Sequence, residues 1–210
     1  MTEIEGVRRK GRNYLVIVSG GREILLTKAV IDRYSIKAGS KIDLDSLEDI
    51  KHESDLVRAE DYVTYLLSRR SYSSGLLAAK LREKGYEKEV VRETLSRLKE
   101  KGLLDDMVFA REMAESILRR KPAGRNYIIA RLRRDYISRS LAEAVVDELL
   151  ENVDESDMAH RLLRNRWSYF SKFELETARR KAYNYLSRRS IGYNAARQAF
   201  EKVLKEENQD

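Results

Sequence analysis

The chain contains no cysteine, which excludes disulfides, thiolate metal ligands and Cys/His catalytic pairs. Its two histidines, His52 and His160, stand far apart in sequence, one in an acidic stretch read as a connector and one among surface-type residues. Neither has the companions that a catalytic or metal site needs in register. Ser19-Gly20-Gly21-Arg22 lacks the Gly-Lys-Ser/Thr ending of a phosphate-binding P-loop. No enzyme activity, cofactor or metal is therefore expected. One proline and ten glycines in 210 residues leave long stretches of Leu, Ala, Arg, Lys and Glu unbroken after the first fifty positions, a composition that favours helix. No apolar run reaches signal-peptide length near the start or about 18 residues anywhere. The expectation is a soluble, cytoplasmic, monomeric chain with no membrane partner.

What is present changes character along the chain. Tyr14–Val18 and Ile24–Leu26 are strand-like, and Ser19-Gly20-Gly21-Arg22 between them suits a hairpin turn, because glycine takes positive φ at little cost. Thr27 can cap a short helix running to about Tyr34. Residues 1–50 thus form a small module containing a β-hairpin. Residues 45–57 hold several acids and little apolar periodicity, and 51–59 are expected to connect that module to the rest.

From Glu60 the period becomes helical and repeats. Leu77, Leu81, Val90, Leu95 and Leu98 shifted by 51 become Ile128, Leu132, Leu141, Val146 and Leu149; a further shift of 54 takes Leu132, Val146 and Leu149 to Leu186, Phe200 and Val203. Such periods signal stacked supersecondary units. Three three-helix units are expected, over 60–104, 105–154 and 155–210. Caps fall at Ser73 or Ser74, at the Asp105-Asp106 pair and at Ser138, while Gly85, Gly102 and Pro122 mark helix ends.

The net charge of +7 is modest beside 42 basic and 35 acidic side chains, so its distribution matters more than its size. Residues 155–210 carry 12 basic and 8 acidic groups. Within the second unit, Arg119, Arg120, Lys121, Arg125, Arg131 and Arg134 fall in a window without acids, and Tyr127, Arg131 and Arg134 share an outer helical stripe at steps of four and three. In the third unit, Trp167, Tyr169, Phe170 and Phe173 are interleaved with Arg164, Arg166 and Lys172, and Arg179, Arg180, Lys181, Arg188 and Arg189 follow. Guanidinium groups pair with phosphates and aromatic faces stack on bases, so this mixture suits single-stranded nucleic acid. Trp167, Phe170 and Phe173 equally suit a core between helices, since large aromatics dominate burial.

Leu66-Leu67-Ser68-Arg69-Arg70-Ser71-Tyr72-Ser73, Leu81-Arg82-Glu83-Lys84-Gly85-Tyr86 and Gly102-Leu103-Leu104-Asp105-Asp106-Met107-Val108-Phe109-Ala110 occur in that order. With these runs the chain resembles the RecX family, bacterial regulators of the RecA recombinase, from about Glu60 to Leu204, and its first fifty residues resemble the β-rich extension of some members. The resemblance implies a mainly α protein, three tandem three-helix units in an elongated curved array behind a small β-hairpin module. Such a body would lie in the groove of a RecA filament on single-stranded DNA, hindering ATP hydrolysis and strand exchange and favouring capping or loss of the filament. The implied partners are a RecA-type recombinase filament and single-stranded DNA, met directly or through the filament. Where the family usually has glycine after the second helix, this chain has Gly85 but then Tyr136 and Ser190. The basic residues named above, with Tyr127, are the expected contacts. A plain DNA-binding or architectural helical-repeat protein is the competing reading of the same charges.

Overall fold

The structure, a computed structural model, describes residues 1–208. It separates into two compact units, 1–104 and 105–210.

In the first unit, β1 (Thr2–Lys10), β2 (Asn13–Val18), β3 (Arg22–Thr27) and β4 (Lys41–Ile42) form an antiparallel sheet in the order β3-β2-β1-β4. Gly20 and Gly21 turn β2 into β3 with φ of 88° and 76°, as the hairpin reading expected. Strand β1 was not foreseen. Its inward set is only Thr2 and Ile4 before the register shifts between Ile4 and Gly6, and its remaining residues are mostly charged and exposed. Thr27 caps α1 (Lys28–Arg33) by accepting from the Val30 N–H. Ile4, Val16, Val18, Ile24, Leu26 and Val30 pack into one core with Leu47 and Ile50.

Those last two residues belong to α2 (Leu44–Leu67), capped by Asp43. Residues 45–57, expected as a connector, are its first half, and the helix that was expected to begin near Glu60 starts sixteen residues earlier. The stripe was hidden because a polar residue sits in it. Ser54 is fully buried, accepts from the Thr27 N–H at 2.9 Å and thereby ties α2 to the end of β3. Further along, Leu56, Ala59 and Val63 turn to a second core, built with α3 (Ser74–Glu83) and α4 (Lys88–Glu100) from Leu77, Leu81, Val90, Val91 and Leu98. One helix thus serves both the sheet and the first three-helix bundle.

In the second unit, α5 (Asp106–Arg120), α6 (Arg125–Arg134) and α7 (Arg139–Leu150) surround Phe109, Ala110, Ala114, Ile128, Leu132, Val145 and Val146. The third bundle consists of α8 (Glu155–Arg164), a four-residue α9 (Trp167–Phe170), α10 (Leu175–Ser187) and α11 (Tyr193–Glu207) around Leu163, Trp167, Phe170, Leu186 and Phe200. Trp167 and Phe170 are core residues, and Trp167 meets Phe200 edge-on at 5.6 Å. Leu118 and Leu150 pack against both cores of this unit. Asp105 caps α5 by accepting from the Met107 and Val108 N–H groups, and Ser73, Ser138 and Asp154 do the same for α3, α7 and α8.

The repeat is most visible where each second helix ends. Gly85, Tyr136 and Ser190 all take left-handed φ, 85°, 63° and 56°. The following amide bonds back to the same carbonyl each time: Tyr86 to Leu81 at 3.2 Å, Ile137 to Leu132 at 3.2 Å and Ile191 to Leu186 at 3.2 Å. The glycine of the first copy is therefore absent from the later ones, but the turn it makes is kept. A side chain in that region costs roughly 1–2 kcal/mol. Tyr136→Gly and Ser190→Gly are accordingly expected to stabilise the second unit by about 0.5–1 kcal/mol each, read as a higher urea midpoint at unchanged slope; a lower midpoint for both variants would contradict the strain.

Ion pairs join the first and last helices of each bundle. Glu60 meets Arg97 at 3.4 Å and Lys101 at 2.8 Å, Arg111 meets Glu148 at 2.6 Å, and Asp157 meets Lys202 at 3.3 Å. Glu60 and Arg97 stand 51 positions before Arg111 and Glu148, so the sign of this pair reverses between the first two copies.

Candidate nucleic-acid interface

The expected contact residues do not form one free basic surface. Arg125 is held by Asp147 through two bonds of 2.5 and 2.8 Å, and that bond draws the Asp147 carboxyl below its usual range. Arg164 pairs with Glu206 and Glu207 at 3.6 and 3.3 Å, Arg179 with Glu176 at 3.3 Å, Arg119 with Glu115 at 3.7 Å, and Arg131 approaches Asp135 at 4.0 Å. The window that lacks acids in sequence is thus met by acids in space, Asp147 from α7 and Asp135 one turn along α6. Among the described residues, Arg120, Lys121, Arg134, Arg166, Arg180, Lys181, Arg188 and Arg189 have no carboxylate partner.

Five of these cations line two grooves, Arg166, Lys181 and Arg188 in one and Arg120 and Lys121 in the other. In the third bundle, Arg166, Tyr169 and Phe170 from the α9 turn face Lys181, Asn184, Tyr185 and Arg188 of α10 across an opening of about 300 Å³ with no acid in its lining. Arg166 lies 4.9 Å from the centre of the Tyr185 ring and 5.5 Å from that of Tyr169. Lys181 sits 4.4 Å over Phe173. In the second bundle, Ser116, Ile117, Arg120 and Lys121 at the end of α5 face Tyr127 and Arg131 of α6 around about 180 Å³.

Lys181, Tyr185 and Arg188 stand 54 positions beyond Tyr127, Arg131 and Arg134. Steps of four and three put each trio on one stripe, and in both copies the buried face lies opposite, with Ile128, Ile129 and Leu132 in α6 and Ala182 and Leu186 in α10. Reading sequence by charge alone missed Tyr185 and Asn184; carrying the Tyr127 stripe forward by the repeat offset finds Tyr185.

Arg189 joins the two grooves. Its guanidinium donates to the carbonyls of Lys121 and Pro122 at 3.4 and 3.3 Å while lying 5.2 Å over Tyr185. Beneath it the Gly124 N–H donates to the Arg189 carbonyl at 2.8 Å. A Cβ on Gly124 would collide with the Ser190 carbonyl, 2.8 Å from its carbon and nearer still to its oxygen. Gly124 is what lets the loop after α5 lie against the end of α10.

His52 and His160 are ordinary partners. His52, on α2 and not in a connector, meets Glu93 at 3.0 Å, and His160 meets Glu206 at 2.9 Å. Among the described residues no group of three or more His, Cys, Asp or Glu could hold a metal, and no helix is long and apolar enough to cross a membrane.

Fold and site together define an α-helical repeat protein that presents cation and tyrosine grooves behind a small β module. The family description "RecX, first three-helix domain" matches residues 59–98. The regulatory protein RecX of Pelodictyon phaeoclathratiforme is 32% identical over 146 residues, covering 70% of this chain and 89% of that relative. A crystal structure of a regulatory protein RecX superposes with a TM-score of 0.66 at 16% identity over 96% of this chain and all of that one, and RecX from Lactobacillus salivarius with 0.61 at 15% over 71% and 96%. The chain belongs to the RecX family, whose members are named as regulatory proteins.

Proposed function

We propose that this chain is a negative regulator of a RecA-type recombinase, acting in the cytoplasm as a monomer and without catalysis of its own. It binds the recombinase filament on single-stranded DNA and slows both ATP hydrolysis and strand exchange. Family membership supports the partner. The observation that supports the contact face is the pair of grooves, in which Tyr127 and Arg131 hold the positions that Lys181 and Tyr185 hold 54 residues on. Two like grooves on successive repeats, over 105–154 and 155–210, can follow successive stretches of a polymer, and linked weak contacts gain avidity without any one being strong. Free cations between ring faces suit a strand held in a filament, because every base offers a π-face and every linkage a phosphate.

The test is the DNA-dependent ATPase of a recombinase filament titrated with this chain. Suppression is expected at concentrations well below those that coat the DNA. Suppression only once naked DNA is saturated would instead assign the chain to direct DNA binding, the architectural reading, in which the same grooves grip the strand without the filament.

A further inference from the structure

The first unit has a groove of related chemistry that the basic clusters of the second unit do not account for. It opens where the turn between β1 and β2 approaches α2, encloses about 470 Å³, and is lined by Arg12, Asn13, Tyr62, Tyr65, Lys84 and Tyr86. Each ring has its own cation: Lys84 is 5.5 Å from the centre of Tyr62, Arg58 is 5.6 Å from Tyr86, and Arg69 is 4.8 Å from Tyr65. Arg58 is anchored to Asp55 at 2.8 Å. Among the described residues Arg12 and Lys84 have no carboxylate partner. Asp61 is the one acid in the lining. Tyr65 is 53% exposed, whereas Tyr86 is half-buried, and burial raises its phenol pKa so that it stays neutral.

We propose that this groove binds a segment of single-stranded nucleic acid on its own, separately from the second unit, and that the N-terminal module supplies one wall of it through Arg12 and Asn13. A nucleotide brings one flat base and one phosphate, which matches the alternation of one ring with one cation; stacking on tyrosine tolerates any base. An acidic peptide would use the cations and bring no flat group to stack on the three rings. The Asn13 amide adds a donor and acceptor for base edges. The β module has, on this view, a binding role in addition to covering the start of α2.

The experiment uses the full chain with both second-unit grooves disabled by Arg120→Ala, Lys121→Ala, Arg131→Ala, Arg166→Ala, Lys181→Ala and Arg188→Ala, and no recombinase, so that its outcome and that of the ATPase titration are separate. Oligothymidylate is expected to slow acetylation of Lys84 several-fold, and adding Arg12→Ala, Tyr65→Ala and Lys84→Ala should weaken the residual oligothymidylate affinity about tenfold or more. Equal acetylation of Lys84 with and without the oligonucleotide would overturn the proposal. So would protection by a polyglutamate peptide but not by oligothymidylate. The three added positions are exposed or partly so, and if the multiple variant melts early, the acetylation pattern of its parent still decides.

Discussion

Gly124→Ala is expected to destabilise the second unit by about 3 kcal/mol, the upper part of the range for overpacking a close contact. At roughly 2–4 °C per kcal/mol for a chain of this size, that is a fall in Tm of about 10 °C. The dihedrals of Gly124, φ −73° and ψ 169°, are open to any residue, so backbone strain is no part of the effect. The cost arises because the new methyl would meet a backbone carbonyl, which has no rotamer to escape into. Gly192 is the internal control. A Cβ there would lie 3.1 Å from the Glu155 carboxylate, the far end of a flexible side chain, so Gly192→Ala should cost well under half as much. Thermal melts of the two variants beside the parent test this directly, and equal melting temperatures for both would rule out the backbone contact as the cause. Because Arg189 bonds to the carbonyls of Lys121 and Pro122 across the same junction, Gly124→Ala should also weaken oligonucleotide binding in the folded fraction.

The second large effect concerns charge. Replacing Arg166, Lys181 and Arg188 together by alanine removes three cations that face an acid-free groove. For single strands each neutralised phosphate contributes about 0.7 to the slope of log K against log salt, so the variant should bind oligothymidylate with a slope smaller by about 2. Extrapolated from 1 M salt, where the electrostatic part vanishes, that slope amounts to roughly a hundredfold loss of affinity at 0.1 M. Arg166 and Lys181 also rest on ring faces, and losing those contacts costs about 0.5–1 kcal/mol each at exposed sites, well short of unfolding the bundle. Parallel salt plots for parent and variant, with equal helix content by circular dichroism, would rule this groove out as a contact.

Much of this architecture can be read from residues in order. The offsets of 51 and 54 follow from Leu81, Leu132 and Leu186, each fully buried and each accepting the amide that closes its helix. The caps at Thr27, Asp105 and Ser138 are equally legible, because a short side chain that accepts from the first turn stands directly before an apolar stripe. The failures have particular causes. Strand β1 carries too few inward apolar residues to show alternation and exists because β2 and β4 pair with it on either side. The first half of α2 lost its helical period at Ser54, a polar residue whose burial depends on the backbone of Thr27, distant in sequence. Among the residues expected to make contacts, composition marked the arginines but not their neighbours: Asp147 is 22 positions from Arg125, and Glu206 is 42 from Arg164. A charge count along the chain therefore overstates how much positive surface is free.

The reversal of sign between the first two bundles bears on how similar copies assemble without confusion. Tandem repeats are prone to exchanging equivalent elements as they fold. Were the first helix of the middle copy to dock on the last helix of the first copy, Arg111 would confront Arg97, and in the converse exchange Glu60 would confront Glu148. Each correct partnership contributes little stability at such exposed positions, yet the wrong ones juxtapose like charges. The first two copies are thereby made mutually incompatible at this position.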